Sequence, residues 1–238
     1  MKIALIGYGK MGKAIETIAL EQDHEIVLKI DSSNREALTP GNLKKADVAI
    51  EFSRPETAFD NIRLCLENGT PVVVGTTGWM DQWVEAKELC NQHNGALFVA
   101  SNFSVGVNIF FALNSYLARL MKSQKQYEIK IEEIHHTQKL DAPSGTAITL
   151  AEGILSEIPR KKSWILEDEA EETAISIRSQ RIGKVPGTHK IHYLSSLDSL
   201  SIQHEAHSRE GFAKGAIQAA SWIIGREGVF GMSDMLGV

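Results

Sequence analysis

A glycine-rich turn directly after the first apolar run limits the folds open to this chain more than any other feature. A strand pattern over residues 2–6 leads at once into a GxGxxG motif, and a helical pattern follows. In such a motif the first glycine permits a tight turn, the second lets the backbone approach a pyrophosphate, and the third allows close helix–strand packing. The motif predicts a dinucleotide-binding domain, with the phosphates on free N–H groups at the helix N-terminus. It consists of Gly7, Tyr8, Gly9, Lys10, Met11 and Gly12.

Asp31 strengthens this prediction because it closes the second strand pattern about 20 residues after the motif. A carboxylate there accepts hydrogen bonds from the adenosine ribose hydroxyls and repels a 2′-phosphate, which favours NADH. Arg35 or Lys10 can still reach such a phosphate, so NADH and NADPH both remain open as the cofactor. The alternative is that the glycines make a tight turn and nothing more.

Short apolar runs and longer amphipathic stretches alternate over the first hundred residues, which indicates a parallel sheet with crossover helices. Ligands of such sheets bind at the carboxyl ends of the strands. We therefore expect cofactor contacts after the fourth and fifth strands, at Gly75, Thr76, Thr77, Ser101, Asn102 and Phe103, unless these residues serve turns only. The predicted strands cover residues 2–6, 25–30, 47–52, 71–74 and 96–100, and the predicted helices cover residues 10–22, 56–67, 81–92 and 105–120.

The pattern changes after about residue 125, where polar and apolar residues alternate as in strands with one wet face. Strands predicted over residues 126–134, 174–182, 189–194 and 200–206, with a helix over 146–158, indicate a predominantly antiparallel sheet. An acidic stretch over 167–172 is predicted to be a solvated loop or helix end. A helix rich in small residues over 211–225 is expected to return to the first domain.

These patterns predict an α/β protein in which a Rossmann-like parallel-sheet dinucleotide domain carries an inserted α+β domain. The dinucleotide-binding domain comprises residues 1–104 and 210–238, and the inserted domain, expected to bind substrate, comprises residues 105–209.

Composition restricts the setting of the protein. The 238 residues include 25 Lys and Arg against 30 Asp and Glu, a net charge of -5 that argues against nucleic-acid binding through overall positive charge. No apolar run reaches the roughly 18 residues of a membrane helix. With two cysteines, Cys65 and Cys90, and no cleavable apolar leader at the start, the expectation is a cytoplasmic protein whose thiols are buried fillers.

The densest group of polar side chains lies in residues 133–146. An imidazole suits general acid or base chemistry near neutral pH, and His135 and His136, adjacent at a strand end, are expected to have different roles. Lys139 can supply a proton or hold an anionic group. Ser144, Gly145 and Thr146 follow Pro143 as the first turn of a helix, where free N–H groups and hydroxyls make a carboxylate receptor.

The alternative for this segment is a structural histidine pair followed by an ordinary helix start. No metal site is expected, because no Cys, Asp or Glu completes a ligand set at usual spacings. The remaining histidines of the second half are expected to be surface or sheet residues, namely His189, His192, His204 and His207.

Taken together, these segments resemble the dihydrodipicolinate reductase family, the 4-hydroxy-tetrahydrodipicolinate reductases of bacterial lysine and diaminopimelate synthesis. The resemblance covers the whole chain, and its most specific part is the His-His-x-x-Lys-x-Asp-Ala-Pro-Ser-Gly-Thr string. The matching segments are GYGKMG at residues 7–12, EFSRPE at 51–56, VVVGTTG at 72–78, ASNFSVGVN at 100–108, EIHHTQKLDAPSGTA at 133–147 and SREGFAKGAIQAASWI at 208–223.

The resemblance implies a role for each matching residue. His135 is the proton donor or acceptor, Lys139 is the proton donor, and His136 binds the substrate carboxylates with Gly145 and Thr146 of the Ser144–Thr146 turn. The implied cofactor contacts are Gly7, Tyr8, Gly9, Lys10, Met11, Gly12, Asp31, Gly75, Thr76, Thr77, Ala100, Ser101, Asn102 and Phe103.

The implied reaction is hydride transfer from the nicotinamide C4 of NADH or NADPH to the C4 of a cyclic unsaturated imine dicarboxylate. The 4-hydroxyl leaves as water and the ring is protonated. The resemblance also implies a homotetramer built through the sheet of the inserted domain. This chain departs from the family in a glycine loop one residue shorter than the common GxxGxxMG form and in lacking the basic residue usually next to the second-strand acid; both departures bear on cofactor choice.

Two other functions fit parts of the pattern. A semialdehyde or homoserine-type dehydrogenase shares the N-terminal architecture, although an acylating enzyme needs an active-site thiol and both cysteines lie in predicted helices of the cofactor domain. A non-catalytic redox-sensing dinucleotide-binding protein would not need His135, Lys139 and the Ser-Gly-Thr turn together.

Overall fold

A computed structural model describes residues 1–166, 171–208 and 210–238. The chain divides into two compact units, Met1–Val105 with Glu210–Val238 and Gly106–Arg209. The domain boundaries drawn from the sequence lie within one residue of this division. Most of the acidic stretch at 167–172, predicted to be a solvated loop or helix end, lies outside the described residues.

The predicted helices and strands are confirmed within two residues at either end, and none of the described helices is long and apolar enough to cross a bilayer. The elements run β1 (Lys2–Ile6), α1 (Lys10–Glu21), β2 (Glu25–Ile30), α2 (Pro40–Leu43), β3 (Val48–Glu51), α3 (Pro55–Glu67), β4 (Val72–Val74), α4 (Trp83–Gln92) and β5 (Ala96–Val99). They continue as α5 (Val105–Met121), β6 (Glu128–His135), α6 (Gly145–Glu157), β7 (Ser163–Ile165), β8 (Ala174–Arg181), β9 (Gly187–Leu194), β10 (Ser199–Ala206), α7 (Glu210–Ile223), β11 (Gly228–Phe230) and α8 (Met232–Leu236).

The described part of the first unit contains a six-stranded sheet in the order β11-β5-β4-β3-β1-β2, with every neighbouring pair parallel. Strand order reverses at β1, which has β2 on one side and β3 on the other. Ligands of doubly wound sheets bind outside the carboxyl ends of the strands at such a reversal. The turn after β1 therefore lies where a dinucleotide is expected.

The core of the first unit lies on both faces of this sheet. Ile3 and Leu5 of β1 pack in one cluster with α1 and α7, whereas Ala4 and Ile6 pack in the other with α3. Both faces are covered because parallel strands are joined by crossover helices, which explains the continuous apolar runs in the sequence.

Helix α7 belongs to the first unit, as predicted from its small residues. Ala213, Ala216 and Ala220 are buried in the cluster that contains β1 and α1. Gly215 lies so close to Phe103 that a Cβ added at this glycine would be 1.8 Å from the Phe103 carbonyl oxygen. The small residues thus allow the helix backbone to approach the loop after β5.

The second unit contains a five-stranded sheet in the order β10-β9-β6-β8-β7 within the described ranges. The pairs β6–β9 and β9–β10 are antiparallel, but β6–β8 and β7–β8 are parallel. The prediction of a predominantly antiparallel sheet is therefore wrong. Helix α6, between β6 and β8 in the chain, makes the crossover that a parallel pair requires.

Both cysteines lie in the interior of the first unit. Cys65 and Cys90 pack in the cluster on the α3 and α4 face of the sheet. Burial raises the pKa of each thiol above its ordinary value. They are therefore apolar fillers, as predicted.

Candidate active site

The glycine turn after β1 has the geometry that its sequence predicts. Gly7 has φ +99°, and a Cβ there would lie 2.0 Å from the Phe52 carbonyl oxygen. A Cβ on Gly12 would lie 2.4 Å from the Gly7 carbonyl oxygen, so α1 packs directly on the turn. No atom lies within 4 Å of a Cβ added to Gly9, which leaves space for a phosphate to approach this backbone.

The N-terminus of α1 offers unpaired donors toward that space. Gly9 is the N-cap, and its carbonyl accepts the first helical hydrogen bond from Lys13 at 3.0 Å. The N–H groups of Lys10, Met11 and Gly12 precede that bond and have no partner within the helix. The first turn carries Lys10 and no acidic residue. This end of the helix therefore favours an anion.

A cavity of about 520 Å³ opens beside the turn and reaches Asp31. The Asp31 Oδ1 atom accepts hydrogen bonds from the backbone N–H and the hydroxyl of Ser33 at 2.7 and 2.6 Å. The Ser33 hydroxyl, then its N–H, hold the pKa of Asp31 below its ordinary value, so the carboxylate is charged at neutral pH. Arg35, considered above for a 2′-phosphate, lines this cavity, and so does Arg54, which the sequence analysis missed.

Several predicted cofactor residues turn their side chains toward the protein. Thr76 is buried, and its hydroxyl accepts a hydrogen bond from the Ser53 N–H at 2.8 Å. Phe103 is buried against Phe98, with ring centroids 5.9 Å apart, so it has only its backbone to offer a ligand. The Tyr8 hydroxyl donates to the Glu16 carboxylate, and Met11 packs against the core.

The other residues after β4 and β5 are more accessible. Thr77 and Ser101 are exposed, and Gly75 and Ala100 are partly exposed. The Asn102 Oδ1 atom accepts from the Ser104 N–H at 2.9 Å, which shapes the turn after β5. These turns are placed at the carboxyl ends of neighbouring parallel strands, as the sequence predicts.

Sheet register assembles the second group of predicted residues. Glu133 and His135 are two residues apart on β6, so their side chains share the buried face of that strand. In the parallel pair with β8 they lie beside Ser179 and Arg181, and in the antiparallel pair with β9, Glu133 lies beside His189. Spacing along the sequence gives no signal for these cross-strand neighbours. His189 is only 4% exposed, so the prediction of a surface or ordinary sheet position missed its place in this cluster.

Glu133 is the centre of this cluster. Its Oε1 atom accepts hydrogen bonds from the Ser144 N–H at 3.0 Å, the Ser179 hydroxyl at 2.7 Å and the Arg181 Nη2 at 3.3 Å. Its Oε2 atom lies 3.4 Å from His135 Nδ1 and 3.6 Å from His189 Nε2.

The cluster sets the charge of its members. Burial lowers the pKa of His135 to about 4, and electrostatic interactions with His189, Lys139 and Arg181 lower it further against the opposing effect of Glu133. Burial alone raises the pKa of Glu133, but the polar groups of His189, Ser144 and Ser179 around it outweigh this effect and leave that pKa well below its ordinary value. At neutral pH a neutral imidazole therefore faces a charged carboxylate.

The segment after β6 carries the predicted lysine. His136 lies just beyond the end of β6, and the Lys139 N–H donates to its carbonyl at 3.1 Å. The Lys139 ammonium pairs with Asp141, and the Arg181 guanidinium donates to the backbone carbonyls of both residues. Arg181 therefore links the segment to the Glu133 cluster.

Helix α6 begins where the carboxylate receptor is predicted. Ser144 is the N-cap, and its hydroxyl accepts a hydrogen bond from the Ala147 N–H at 3.2 Å. Gly145 and Thr146 form the first turn, and a Cβ added to Gly145 would have no atom within 4 Å. Their N–H groups, at the positive end of a helix, are suited to an anion.

A cavity of about 530 Å³ lies beside His136. It contains Lys184 of the turn between β8 and β9, a second cation that the sequence analysis missed. The sequence signal that could have indicated Lys184 is its position between Gly183 and a Val-Pro-Gly sequence, which is typical of a turn. The cavity is lined by His136, Thr137, Gln138, Gly183, Lys184 and Pro186.

From the sequence, no metal site is expected because no carboxylate lies at a usual ligand spacing from the histidines. That reason is wrong. Glu133, His135 and His189 present ligand atoms that all lie within 4.8 Å of one another. However, the positive charges of Arg181 and Lys139 act on the same imidazole and oppose a further cation. We assign no metal here.

The first unit thus carries a glycine turn of the dinucleotide-binding type, and the second carries an imidazole, a lysine and a helix N-terminus suited to an anion. This combination is typical of a dinucleotide-dependent oxidoreductase. Family models described as the N-terminus and the C-terminus of dihydrodipicolinate reductase match residues 1–103 and 106–236. The chain therefore belongs to the dihydrodipicolinate reductase family, whose cofactor is NADH or NADPH.

Individual relatives agree with this assignment. The chain is 50% identical over 238 residues to the 4-hydroxy-tetrahydrodipicolinate reductase of Christiangramia forsetii, covering 99% of this chain and 98% of the relative. It is 37% identical over 200 residues to the enzyme of that name from Methanoculleus marisnigri, covering 83% of this chain and 78% of the relative. The solved dipicolinate-bound dihydrodipicolinate reductase from Paenisporosarcina sp. TG-14 shares the fold, with a TM-score of 0.78, 24% identity and 97% coverage of each chain. The dehydrogenase and redox-sensor alternatives are set aside.

Proposed function

We propose that this protein reduces 4-hydroxy-tetrahydrodipicolinate to tetrahydrodipicolinate with NADH or NADPH and loss of water, in lysine and diaminopimelate biosynthesis. The observation that carries the proposal is the joining of His135, Lys139 and the N-terminus of α6 through one buried cluster. Both relatives described above carry the name of this activity, and the one from Christiangramia forsetii matches over 99% of this chain.

The proposed substrate is a dianion, and the second unit has the groups to hold it. His136, Ser144 and the N–H groups of Gly145 and Thr146 bind its carboxylates, and Lys184 adds a positive charge to the cavity beside His136. The Paenisporosarcina enzyme holds dipicolinate, which is also a ring with two carboxylates. Local geometry has to capture this anion because the net charge of the chain is -5.

The first unit holds the cofactor, which when bound supplies the hydride. The backbone of residues 7–12 contacts the pyrophosphate, since Gly9 leaves it open space. Asp31 accepts hydrogen bonds from the adenosine ribose. The turns at residues 75–77 and 100–103 contact the nicotinamide ribose and carboxamide, with Phe103 contributing its backbone only.

The reaction consumes one proton as hydride reaches C4 and the 4-hydroxyl leaves as water. Lys139, held by Asp141, is the proton donor, and His135 donates or accepts a proton at the ring. His135 is neutral in the free protein because burial lowers its pKa to about 4. A bound dianion favours the charged form of the ring, so substrate binding raises this pKa.

A cytoplasmic homotetramer is part of the proposal. Strand β10 is an edge of the second sheet, and all eight of its residues are at least partly exposed. An edge strand offers unpaired backbone groups that a second copy can cover. Sedimentation of the purified protein tests this state, and a monomer at working concentration contradicts it.

A coupled assay tests the activity. Freshly made product of dihydrodipicolinate synthase is added to the purified protein in two assays, one with NADH and one with NADPH. Oxidation of the cofactor is measured in each assay. Lys139→Ala should bind cofactor normally and lose most turnover. If folded protein binds either cofactor and oxidises neither in the presence of this substrate, the proposed function is wrong.

A further inference from the structure

Glu133 is a fully buried charged residue that the proposed reaction does not use. Its side chain is 0% exposed, although burial of a carboxylate is costly unless partners compensate. One oxygen is satisfied by donors from Ser144, Ser179 and Arg181. The other oxygen faces His135 and His189, so a buried charge lies beside the residue proposed to handle the proton.

We propose that Glu133 is a positioning residue that fixes the tautomer and orientation of His135 and ties it to the start of α6. This inference rests on the proposed function, because it assumes that His135 handles the proton. Glu133 does not contact the substrate in this proposal and acts through His135 and Ser144.

The Glu133 Oε2 atom faces ring nitrogens of both His135 and His189 in the buried cluster. Glu133 Oε2 and His135 Nδ1 are both buried without a hydrogen-bond partner in the described ranges, and they lie 3.4 Å apart. A charged carboxylate oxygen accepts hydrogen bonds and cannot donate one. The facing nitrogen is therefore the one that carries the proton when the ring is neutral.

The tautomer leaves Nε2 as the nitrogen that exchanges a proton with the substrate. On this side of the ring the backbone of Gly187 lies close, and a Cβ added there would be 3.1 Å from Nε2. A side chain at residue 187 would press on Nε2, so the glycine leaves room at this nitrogen. One nitrogen is thus held by Glu133 and the other is left for chemistry.

Glu133 also connects the other groups of the proposed site. The same carboxylate accepts from the N–H of Ser144, the N-cap of α6, and from Arg181, which holds the carbonyls of Lys139 and Asp141. The imidazole, the lysine segment and the anion-binding helix end therefore share one anchor. A displacement of about 1 Å between such groups costs up to about 100-fold in rate.

Glu133 also acts on the charge of the His135 ring. The titratable and charged groups that act on His135 are His189, Glu133, Lys139 and Arg181. Among them Glu133 favours the protonated ring, and the other three oppose it. Loss of this carboxylate should make His135 harder to protonate.

Glu133→Gln is the direct test, because it keeps the shape and one acceptor while removing the charge. We expect kcat to fall about 10- to 100-fold with a smaller change in KM for the substrate. The limb of the kcat–pH profile that reports a protonated His135 should move to lower pH by about one unit. A merely structural role for Glu133 would not shift that limb.

Glu132→Gln is the matched control. Glu132 is the preceding residue of β6 on its opposite face, where it meets Gln180 at 2.9 Å and Lys190 at 3.7 Å. The same substitution one residue away should leave kcat and the pH profile at wild-type values. An equal loss in both variants would show a general effect of weakening β6 and overturn the inference.

A double-mutant cycle with His135→Gln tests whether Glu133 acts through the imidazole. In the His135→Gln background, Glu133→Gln should cost little further activity. A full additional loss overturns the inference. If instead wild-type protein shows no reductase activity, or His135→Gln is fully active, the proposed function or the role of His135 has failed.

Imidazole ¹⁵N NMR of the wild-type protein keeps the inference testable if Glu133→Gln does not fold. The His135 resonances, identified by their loss in His135→Gln, should show a protonated Nδ1 and an unprotonated Nε2 at pH 7. The opposite tautomer overturns the inference, whatever the activity of any variant.

Discussion

The Lys139 ammonium lies 2.9 and 2.8 Å from the two carboxylate oxygens of Asp141, two residues further along the chain. The carboxylate is largely exposed, whereas the lysine side chain is 22% exposed. Through this hydrogen bond Lys139 holds the pKa of Asp141 below its ordinary value. The proposed proton donor is therefore held in place by a neighbour outside the buried cluster.

Lys139→Ala should lower kcat by about 100-fold or more, the usual contribution of a positioned proton donor. Asp141→Asn should lower it only severalfold, because the lysine remains but its orientation is looser. Steady-state kinetics at pH 7 checks both. Lys122→Ala removes an exposed cation just after α5 and should keep wild-type rates. Equal losses in Asp141→Asn and Lys139→Ala would contradict the supporting role of Asp141.

His135 should make the protein less stable in acid. Burial lowers its native pKa from 6.5 to about 4, so between these values the unfolded chain binds a proton that the native state does not. The free energy of unfolding therefore falls as pH drops from 6.5 to 4, by about 3 kcal/mol from this group. Urea unfolding across this range measures the loss.

The comparison for that experiment is His135→Gln. Burial also lowers the pKa of His24 and His204, so these histidines also make the wild type less stable in acid. The variant should retain the contributions of His24 and His204 and should lose less stability than the wild type over the same pH range. Parallel curves would mean that His135 titrates normally in the native state.

Gly12→Ala should weaken cofactor binding. The new Cβ would lie 2.4 Å from the Gly7 carbonyl oxygen, a backbone atom, so the turn or the helix has to move. We expect at least about a tenfold loss in NADH affinity and about 1–3 kcal/mol of destabilisation. Fluorescence titration and thermal unfolding check these. Gly41→Ala is the control, since no atom lies within 4 Å of a Cβ added there, and it should leave affinity unchanged.

Asp31→Asn should shift cofactor preference toward NADPH. The substitution removes a charge that repels a 2′-phosphate, while Arg35 and Arg54 remain in the same cavity. The ratio of kcat/KM for NADPH over NADH should rise about tenfold, equivalent to about 1.4 kcal/mol. Asp81→Asn removes an exposed carboxylate of the same unit and should leave the ratio as it is. A fall in the Asp31→Asn ratio would show that this carboxylate does not face the 2′ position.

The sequence predicts features that depend on neighbours along the chain. The GxGxxG turn, the start of α6 at Ser144 and the small-residue face of α7 each follow from local patterns, and the structure contains them. Cross-strand neighbours are different, because Glu133 meets His189 and Arg181 only through the register of β6 with β9 and β8. The parallel pairing of β6 with β8 was missed for the same reason. The sequence also does not show which way a loop side chain points. Phe103 is an example, because its ring is buried in the core.

The position of α7 and β11 has a consequence for biosynthesis of the chain. Strand β11 pairs with β5, and α7 supplies seven buried residues, yet both emerge from the ribosome after the entire second unit. The second unit can therefore complete its own sheet while the first still lacks one edge strand and a covering helix. Nascent chains would expose the apolar surface of β1 and β5 until translation ends, which gives cellular chaperones a defined interval in which to act.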